Sequence, residues 1–264
     1  MGEWTKIGFF ENENGKLVDK SSTYFDDAVT GWWNTITSAD MDGDGKEDLI
    51  VGNLGYNYKY KASKHKPFKV YGQDFDESGS CDIVLGAYYG DVEYPLRGKN
   101  CSTEQMPGLE KKFSSYTKFA MADINEVYGE DLNRALKYEV TEFGSIILYK
   151  NDSNGYDMQP LPRIVQTAPV NGIVVKDVNS DGHNDLIVAG NLYQSEIETG
   201  RADSGTGYVI LNLSDRKYKV LSVQESGIYL PDDVKSLNTI SVAGVDHILV
   251  GINKGPVKLL RQSD

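Results

Sequence analysis

The sequence predicts an all-β fold built from repeated four-stranded blades, and three features of it do so. A unit made of a short strand-like run, an acidic nine-residue loop and a strongly apolar strand occurs three times, and repetition of that kind marks an array of like supersecondary units. Plainer hairpin patterns lie between the copies, so that two inner strands and an outer hairpin complete each blade. The composition agrees: among 264 residues there are 17 Tyr and 27 Gly but only 8 Pro, a profile suited to short strands joined by tight turns.

Along the chain, KIGFFENENGKLVDKS (Lys6 to Ser21) reads as a hairpin around an Asn-Gly turn. The first full unit is ITSADMDGDGKEDLIVGNLG (Ile36 to Gly55), and the second is VYGQDFDESGSCDIVLGAYY (Val70 to Tyr89). In each, β-branched residues and a following Gly mark the second strand as buried. From about Asn100 to Val140 the spacing turns helical. Phe113, Tyr116, Phe119, Ala120, Ile124, Val127 and Tyr128 form an apolar stripe, Leu132 and Leu136 continue it beyond Gly129, and Ser114 or Ser115 is placed to cap it. The stripe reads as packing, and residues 100–140 as a small helical insertion within one blade of a single domain spanning 1–264. SIILYKNDSNGYDMQPLP (Ser145 to Pro162) is the next hairpin; IVVKDVNSDGHNDLIVAGNLY (Ile173 to Tyr193) is the third acidic unit; GYVILNLSDRKYKVLSV (Gly207 to Val223) is a further hairpin. SLNTISVAGVDHILVGINKGPVKLL (Ser236 to Leu260) repeats the strand pattern with a turn at Gly244 in place of the acidic loop, making about four blade units in all.

The acidic loops predict calcium. This ion takes six to eight hard oxygen ligands at flexible distances. Side chains at loop positions 1, 3, 5 and 9, with a backbone carbonyl at 7 and a glycine at 6 for the sharp turn, wrap one ion. The expected ligands are Asp40, Asp42, Asp44, Lys46 (carbonyl) and Asp48 in the first loop. In the second they are Asp74, Asp76, Ser78, Ser80 (carbonyl) and Asp82, and in the third Asp177, Asn179, Asp181, His183 (carbonyl) and Asp185. An EF-hand shares the opening but needs a glutamate at position 12 and flanking helices; Val51, Leu85 and Val188 stand there instead, each inside an apolar strand. Plain Asp-Gly turns without metal are the alternative, but clustered carboxylates repel one another without a cation. Serine at the fifth position of the second loop predicts that site to be the weakest. Up to three Ca²⁺ ions are expected, all structural.

The net charge of −12 opposes binding to nucleic acid, and no apolar run approaches a membrane span. Cys81 and Cys101 are either one disulfide or two separate thiols. No nucleophile elbow, zincin, phosphate-loop or dinucleotide motif is present, and His65, His183 and His247 lie far apart, so no catalytic residue is assigned. Asp232-Asp233 beside Lys235 reads as a solvated turn. Two places are candidate ligand-binding surfaces. Glu196, Glu198, Arg201 and Asp203 form a polar loop after a buried strand, with a salt-bridged surface loop as the alternative reading. Trp32 and Trp33 include one ring that would stack on a sugar if exposed, core packing being the other reading.

The acidic motif followed by DLIVGN resembles the FG-GAP/VCBS repeats of integrin α-chains and bacterial surface proteins. The longer order of motifs, from GWWNTITSADMDGDGKEDLIVGNLG through EYPLRGKN and FSSYTKFA to GNLYQSEIETGRADSGTGYVILN, resembles the C-terminal part of large bacterial VCBS-repeat proteins associated with ASPIC/UnbV modules. The resemblance implies a calcium-bound β-propeller, either a closed small ring or part of a larger one. It also implies export to the cell surface, periplasm or extracellular space, with the signal segment outside this chain and other parts of a longer parent protein as neighbours. The function it implies is binding or adhesion to a protein or glycan. A polysaccharide lyase or hydrolase on the same scaffold is the alternative.

Overall fold

The computed structural model describes residues 1–25, 29–196 and 198–262. The chain opens with β1 (Glu3–Lys6), the hairpin β2 (Phe10–Glu13) and β3 (Lys16–Asp19), a single helical turn α1 (Ser21–Tyr24) and β4 (Thr30–Trp32). Next come β5 (Thr35–Ala39), β6 (Asp48–Gly52), β7 (Phe68–Gln73), β8 (Asp82–Tyr89) and β9 (Val92–Pro95). Four short helices follow, α2 (Lys99–Gln105), α3 (Gly108–Lys112), α4 (Tyr116–Met121) and α5 (Ile124–Tyr128). The rest is β10 (Leu136–Val140), β11 (Ile146–Lys150), β12 (Tyr156–Pro160), β13 (Gly172–Lys176), β14 (Asp185–Ala189), β15 (Tyr208–Asn212), β16 (Tyr218–Val220), the turn α6 (Val223–Ser226), β17 (Val234–Val242), β18 (Val245–Ile252) and β19 (Lys258–Arg261).

The fold is mostly β, with four-stranded antiparallel sheets that are blades of a β-propeller type, and the chain divides into two compact units. The first unit takes residues 1–27, 32–59 and 143–264. It contains the sheets β5-β6-β11-β12 and β13-β14-β15-β16, the three-stranded sheet β17-β18-β19 and the hairpin β2-β3. Its core is the apolar run that follows each acidic loop: Ile50, Leu186 and Val188 are fully buried beside Ile147, Tyr149 and Ile210. The hairpins fall where their turn residues require. Asn14-Gly15 has φ of 54° and 87°, and Asn154 and Ala243-Gly244 are likewise left-handed, the conformation two-residue hairpin turns demand.

The second unit takes residues 28–31 and 60–142. Its sheet runs β10-β7-β8-β9, so the strand that follows the helices returns to pair with β7, Val140 opposite Phe68. The helices pack Phe113, Phe119, Ile124, Val127, Tyr128 and Leu132 against Tyr71 and Val84. Ser115 caps α4, its Oγ accepting from the Lys118 N–H at 3.2 Å. Two residues of the expected stripe lie outside the packed face: Tyr116 and Leu136 are 63% and 62% exposed, and Leu136 opens a strand. The break expected at Gly129 is present, with φ of 69°, and the chain breaks again between α4 and α5 at Ala122–Asp123.

The connectivity departs from consecutive blades. β6 pairs with β11, placing Val51 opposite Ile146, so residues 60–142 are spliced between the second and third strands of one blade. One further reading changes. Asp233, expected in a solvated turn, is 3% exposed, because Lys235 pairs with it at 2.7 Å and Asn253 Nδ2 donates to it at 2.9 Å. Cys81 and Cys101 are both free thiols.

Candidate metal centre

The three acidic loops share one internal wiring. The first aspartate accepts the N–H of the sixth-position glycine: Gly45 to Asp40 at 2.9 Å, Gly79 to Asp74 at 2.8 Å and Gly182 to Asp177 at 2.9 Å. Those glycines have φ of 82°, 87° and 88°, where a side chain is strained. The fifth residue accepts the N–H of the seventh: Lys46 to Asp44 at 2.8 Å, Ser80 to Ser78 at 3.4 Å and His183 to Asp181 at 2.9 Å. The ninth aspartate accepts the N–H of the second residue, from Met41 to Asp48, Phe75 to Asp82 and Val178 to Asp185, each at 2.9 Å. In two blades it also reaches the third strand, taking the N–H of Lys150 onto Asp48 and of Asn212 onto Asp185, both at 2.8 Å. Asp48, Asp82 and Asp185 are therefore buried, at 0%, 2% and 0% exposure.

In the first loop Asp40, Asp42 and Asp48 offer carboxylate oxygens all within 4.8 Å of one another, a group that could hold a metal ion. Oxygens on opposite sides of a cation with bonds of about 2.3–2.6 Å stand about 5 Å apart, so the spacing suits a hard divalent ion. Asp42 Oδ1 is buried and has no hydrogen-bond partner, an oxygen left for such an ion to satisfy. Burial lifts the Asp48 carboxyl above the usual carboxylate range, with the charges of Asp42 and Asp44 adding to it against its two backbone donors. Asp44 turns to Lys46, whose Nζ lies 3.0 Å away and also 2.7 Å from Asp152; that hydrogen bond holds Asp44 low. Asp42 Oδ2 is taken by Arg216, from Nη2 at 2.9 Å and Nε at 3.1 Å.

In the second loop Asp74, Asp76 and Asp82 form the same group of three, with oxygens within 4.8 Å, and burial first and the neighbouring charges second raise the Asp82 carboxyl. Ser78 stands in the position of Asp44, and its Oγ accepts the Ser80 N–H. The third loop substitutes Asn179 at the third position. Its amide Nδ2 donates to Asp181 Oδ2 at 2.8 Å, which together with the His183 N–H holds Asp181 low. The two acidic loops of the first unit also touch: Asn184 Nδ2 donates to the Asp40 carbonyl at 2.9 Å, and Asn212 Nδ2 to the Met41 carbonyl at 2.7 Å.

The candidate ligand residues fall into two settings. Trp33 is 3% exposed and its Nε1 donates to the Thr5 carbonyl at 2.8 Å. Trp32 is half-buried, edge-on to Trp4 at 5.3 Å and to Phe143 at 5.5 Å. Glu196, Glu198, Arg201 and Asp203 are exposed on a loop closed at its base by the Leu192–Ala202 bridge, with the Arg201 guanidinium 5.2 Å from the Tyr193 ring.

Several residues of the centre escaped the sequence reading. Asn53 and Asn191, both fully buried, follow the second strand of two repeats. Asn53 Oδ1 accepts the Leu54 N–H at 2.8 Å, and Asn191 Nδ2 donates to Gly205 and Pro231 carbonyls at 3.0 and 2.9 Å. Their signal was present as a repeated Gly-Asn pair. Arg216 and Asn212 carry no such signal, standing 174 and 171 residues from the loop atoms they bind.

No curated protein matches this chain. Residues 32–64, which hold β5, the first acidic loop and β6, match the FG-GAP repeat.

Proposed function

We propose that this protein is a calcium-stabilised propeller module that binds a protein or glycan ligand outside the cell. The observation that carries the metal half is the triad of Asp40, Asp42 and Asp48 oxygens within 4.8 Å, recurring at Asp74, Asp76 and Asp82, with the buried, unpartnered Asp42 Oδ1 in the first. All the donors are hard oxygens, which favours calcium over softer metals. The chain folds in this reading as one domain with its helices inserted in a blade, and its kin are the VCBS-repeat proteins of bacterial surfaces. FG-GAP repeats are found in propellers often concerned with binding or adhesion, and typically extracellular ones, which supports the location and role. Among the described residues no helix is long and apolar enough to cross a membrane.

The ligand surface in this reading is the exposed loop of Glu196, Glu198, Arg201 and Asp203. The packed rings of Trp32 and Trp33 are engaged with neighbouring residues and suit it less. Calcium at about a hundred times its dissociation constant stabilises a folded protein by about 2.7 kcal/mol. For a domain of this size that is a rise in melting temperature of about 5–10 °C over the EDTA-treated protein. Scanning calorimetry in EDTA and in calcium measures it, and the same protein passed over immobilised glycans and matrix proteins should be retained in calcium and released by EDTA. An unchanged melting temperature with no heat of calcium binding overturns the metal half. Retention that ignores an Arg201→Ala, Glu198→Ala double variant overturns the surface.

A further inference from the structure

Arg216 does something at the first loop that no residue does at the other two. It lies in the turn between β15 and β16, where Ser214, Asp215 and Arg216 all have left-handed φ, at 64°, 49° and 58°. Non-glycine residues reach that conformation at an energetic cost, so this turn is held by its contacts. The Arg216 carbonyl accepts Gln159 Nε2 at 2.9 Å, and its guanidinium lies flat over Tyr149, 4.1 Å from the ring centroid. The Tyr149 hydroxyl is itself hydrogen-bonded to that of Tyr218. From this seat Nε and Nη2 grip Asp42 Oδ2 and Nη1 reaches Asp157 at 3.3 Å. Asp42 thus has one oxygen on a fixed cation and the other, Oδ1, buried and unpartnered, in a residue grouped with Asp40 and Asp48. Among the described residues no lysine or arginine pairs with Asp74, Asp76, Asp82, Asp177 or Asp185.

We propose that Arg216 is a resident counter-cation of the first acidic loop: it neutralises Asp42 when the loop holds no metal, and it opposes a divalent ion when one binds. The physical ground is electrostatic. Three carboxylates this close repel one another, and a guanidinium forked onto one of them relieves that repulsion while the loop is metal-free. The same fixed positive charge, a few ångströms from the ion position, repels an incoming cation. The first loop is therefore pre-folded and binds metal more weakly than its three carboxylates alone would, whereas the second loop, with the same triad and no such partner, depends on metal for its charge balance. The calcium arm of this inference rests on the metal reading above; the metal-free arm does not.

The test uses the whole chain with Arg216→Gln, Asp42→Asn and the double variant. In EDTA, Arg216→Gln should melt several degrees below the parent, and the loss should shrink clearly in the Asp42→Asn background, leaving only what the contacts with Tyr149 and Asp157 contribute. In calcium, calorimetry should show one binding event tightened by roughly tenfold in Arg216→Gln. An Arg216→Gln protein that melts with the parent in EDTA overturns the proposal. So does an equal loss with and without Asp42, which would make Arg216 a packing residue on Tyr149, and so does weaker calcium binding, which would make it a positioning residue. Should the parent bind no calcium, the metal reading fails while the EDTA comparison still decides what Arg216 does.

Discussion

Asp48 meets two demands with one carboxylate. It borders the group that could hold a metal, and both its oxygens accept backbone N–H donors, from Met41 and Lys150, so it ties the loop to the third strand of its blade. The second demand does not depend on any ion. Removing the side chain leaves two buried donors unsatisfied, each costing about 1–3 kcal/mol. Asp48→Ala is therefore expected to lose about 2–5 kcal/mol in urea unfolding carried out in EDTA, and the more exposed Asp44→Ala clearly less. Equal losses from the two would remove the tie. At this scale the alternating loop positions were legible from spacing alone, because nine consecutive residues hold them. The two departures from the motif were legible in the same way: Ser78 replaces a carboxylate at the fifth position of the second loop, and Asn179 replaces one at the third position of the third, where Asp42 and Asp76 stand in the other two. Arg216 was invisible because its partner is 174 residues away, and a turn reading LSDRKY announces nothing about where its arginine reaches.

Among the elements, strands were legible wherever apolar residues and a turn signal coincided: the hairpin β11–β12 and the sheet β17-β18-β19 lie where Asn-Gly, Gly and β-branched runs placed them, and β15–β16 lies where its apolar runs alone did. The helical region was legible in kind, as was its break at Gly129, but its division into short helices before that was not, since period alone does not mark the gap at Ala122–Asp123 between α4 and α5. The one-turn helix α6 was missed, although Ser222 and Glu225 stand at capping-box spacing ahead of it. Here Ser222 N–H and Oγ donate to Glu225 at 2.8 and 2.9 Å, and Lys219 Nζ lies 3.0 Å away, which together pull the Glu225 carboxyl down to about 2. A depressed acid favours the folded state above its ordinary value of 4.5 and loses that contribution as the pH falls through about 2. Side-chain NMR should place the Glu225 midpoint near 2, with the Ser222 amide losing its hydrogen-bonded shift over the same range. A midpoint at 4.5 would mean the box is open in solution.

For the molecule as a whole, the blades of the first unit approach one another through glycine. A Cβ on Gly190 would stand 2.3 Å from the Pro169 carbonyl, and one on Gly52 the same distance from the Val170 carbonyl. These are the glycines that close the second strand of two repeats, so a feature that looked like punctuation is a packing requirement. Backbone cannot give way as a side-chain tip does, and Gly190→Ala is expected to cost about 1–3 kcal/mol in urea unfolding, with calcium present throughout. A neutral result would mean that residues 169–171 shift freely. The order of strands within sheets was legible only where neighbours in sequence are neighbours in space. The splice of residues 60–142 between β6 and β11 was not, because nothing in DLIVGN states that its next partner lies beyond another blade and four helices.

That splice has a consequence for biosynthesis. When β6 leaves the ribosome, the strand that will cover its open edge has not been made; the hydrogen bond from the Lys150 N–H to the Asp48 carboxylate joins positions 102 residues apart. At about 5–20 residues per second, roughly 5–20 s of translation separate the two. Throughout that interval the edge of β6 that will meet β11, at Leu49, Ile50 and Val51, has no strand to pair with, so the half-blade carries an open apolar rim until the later strand arrives.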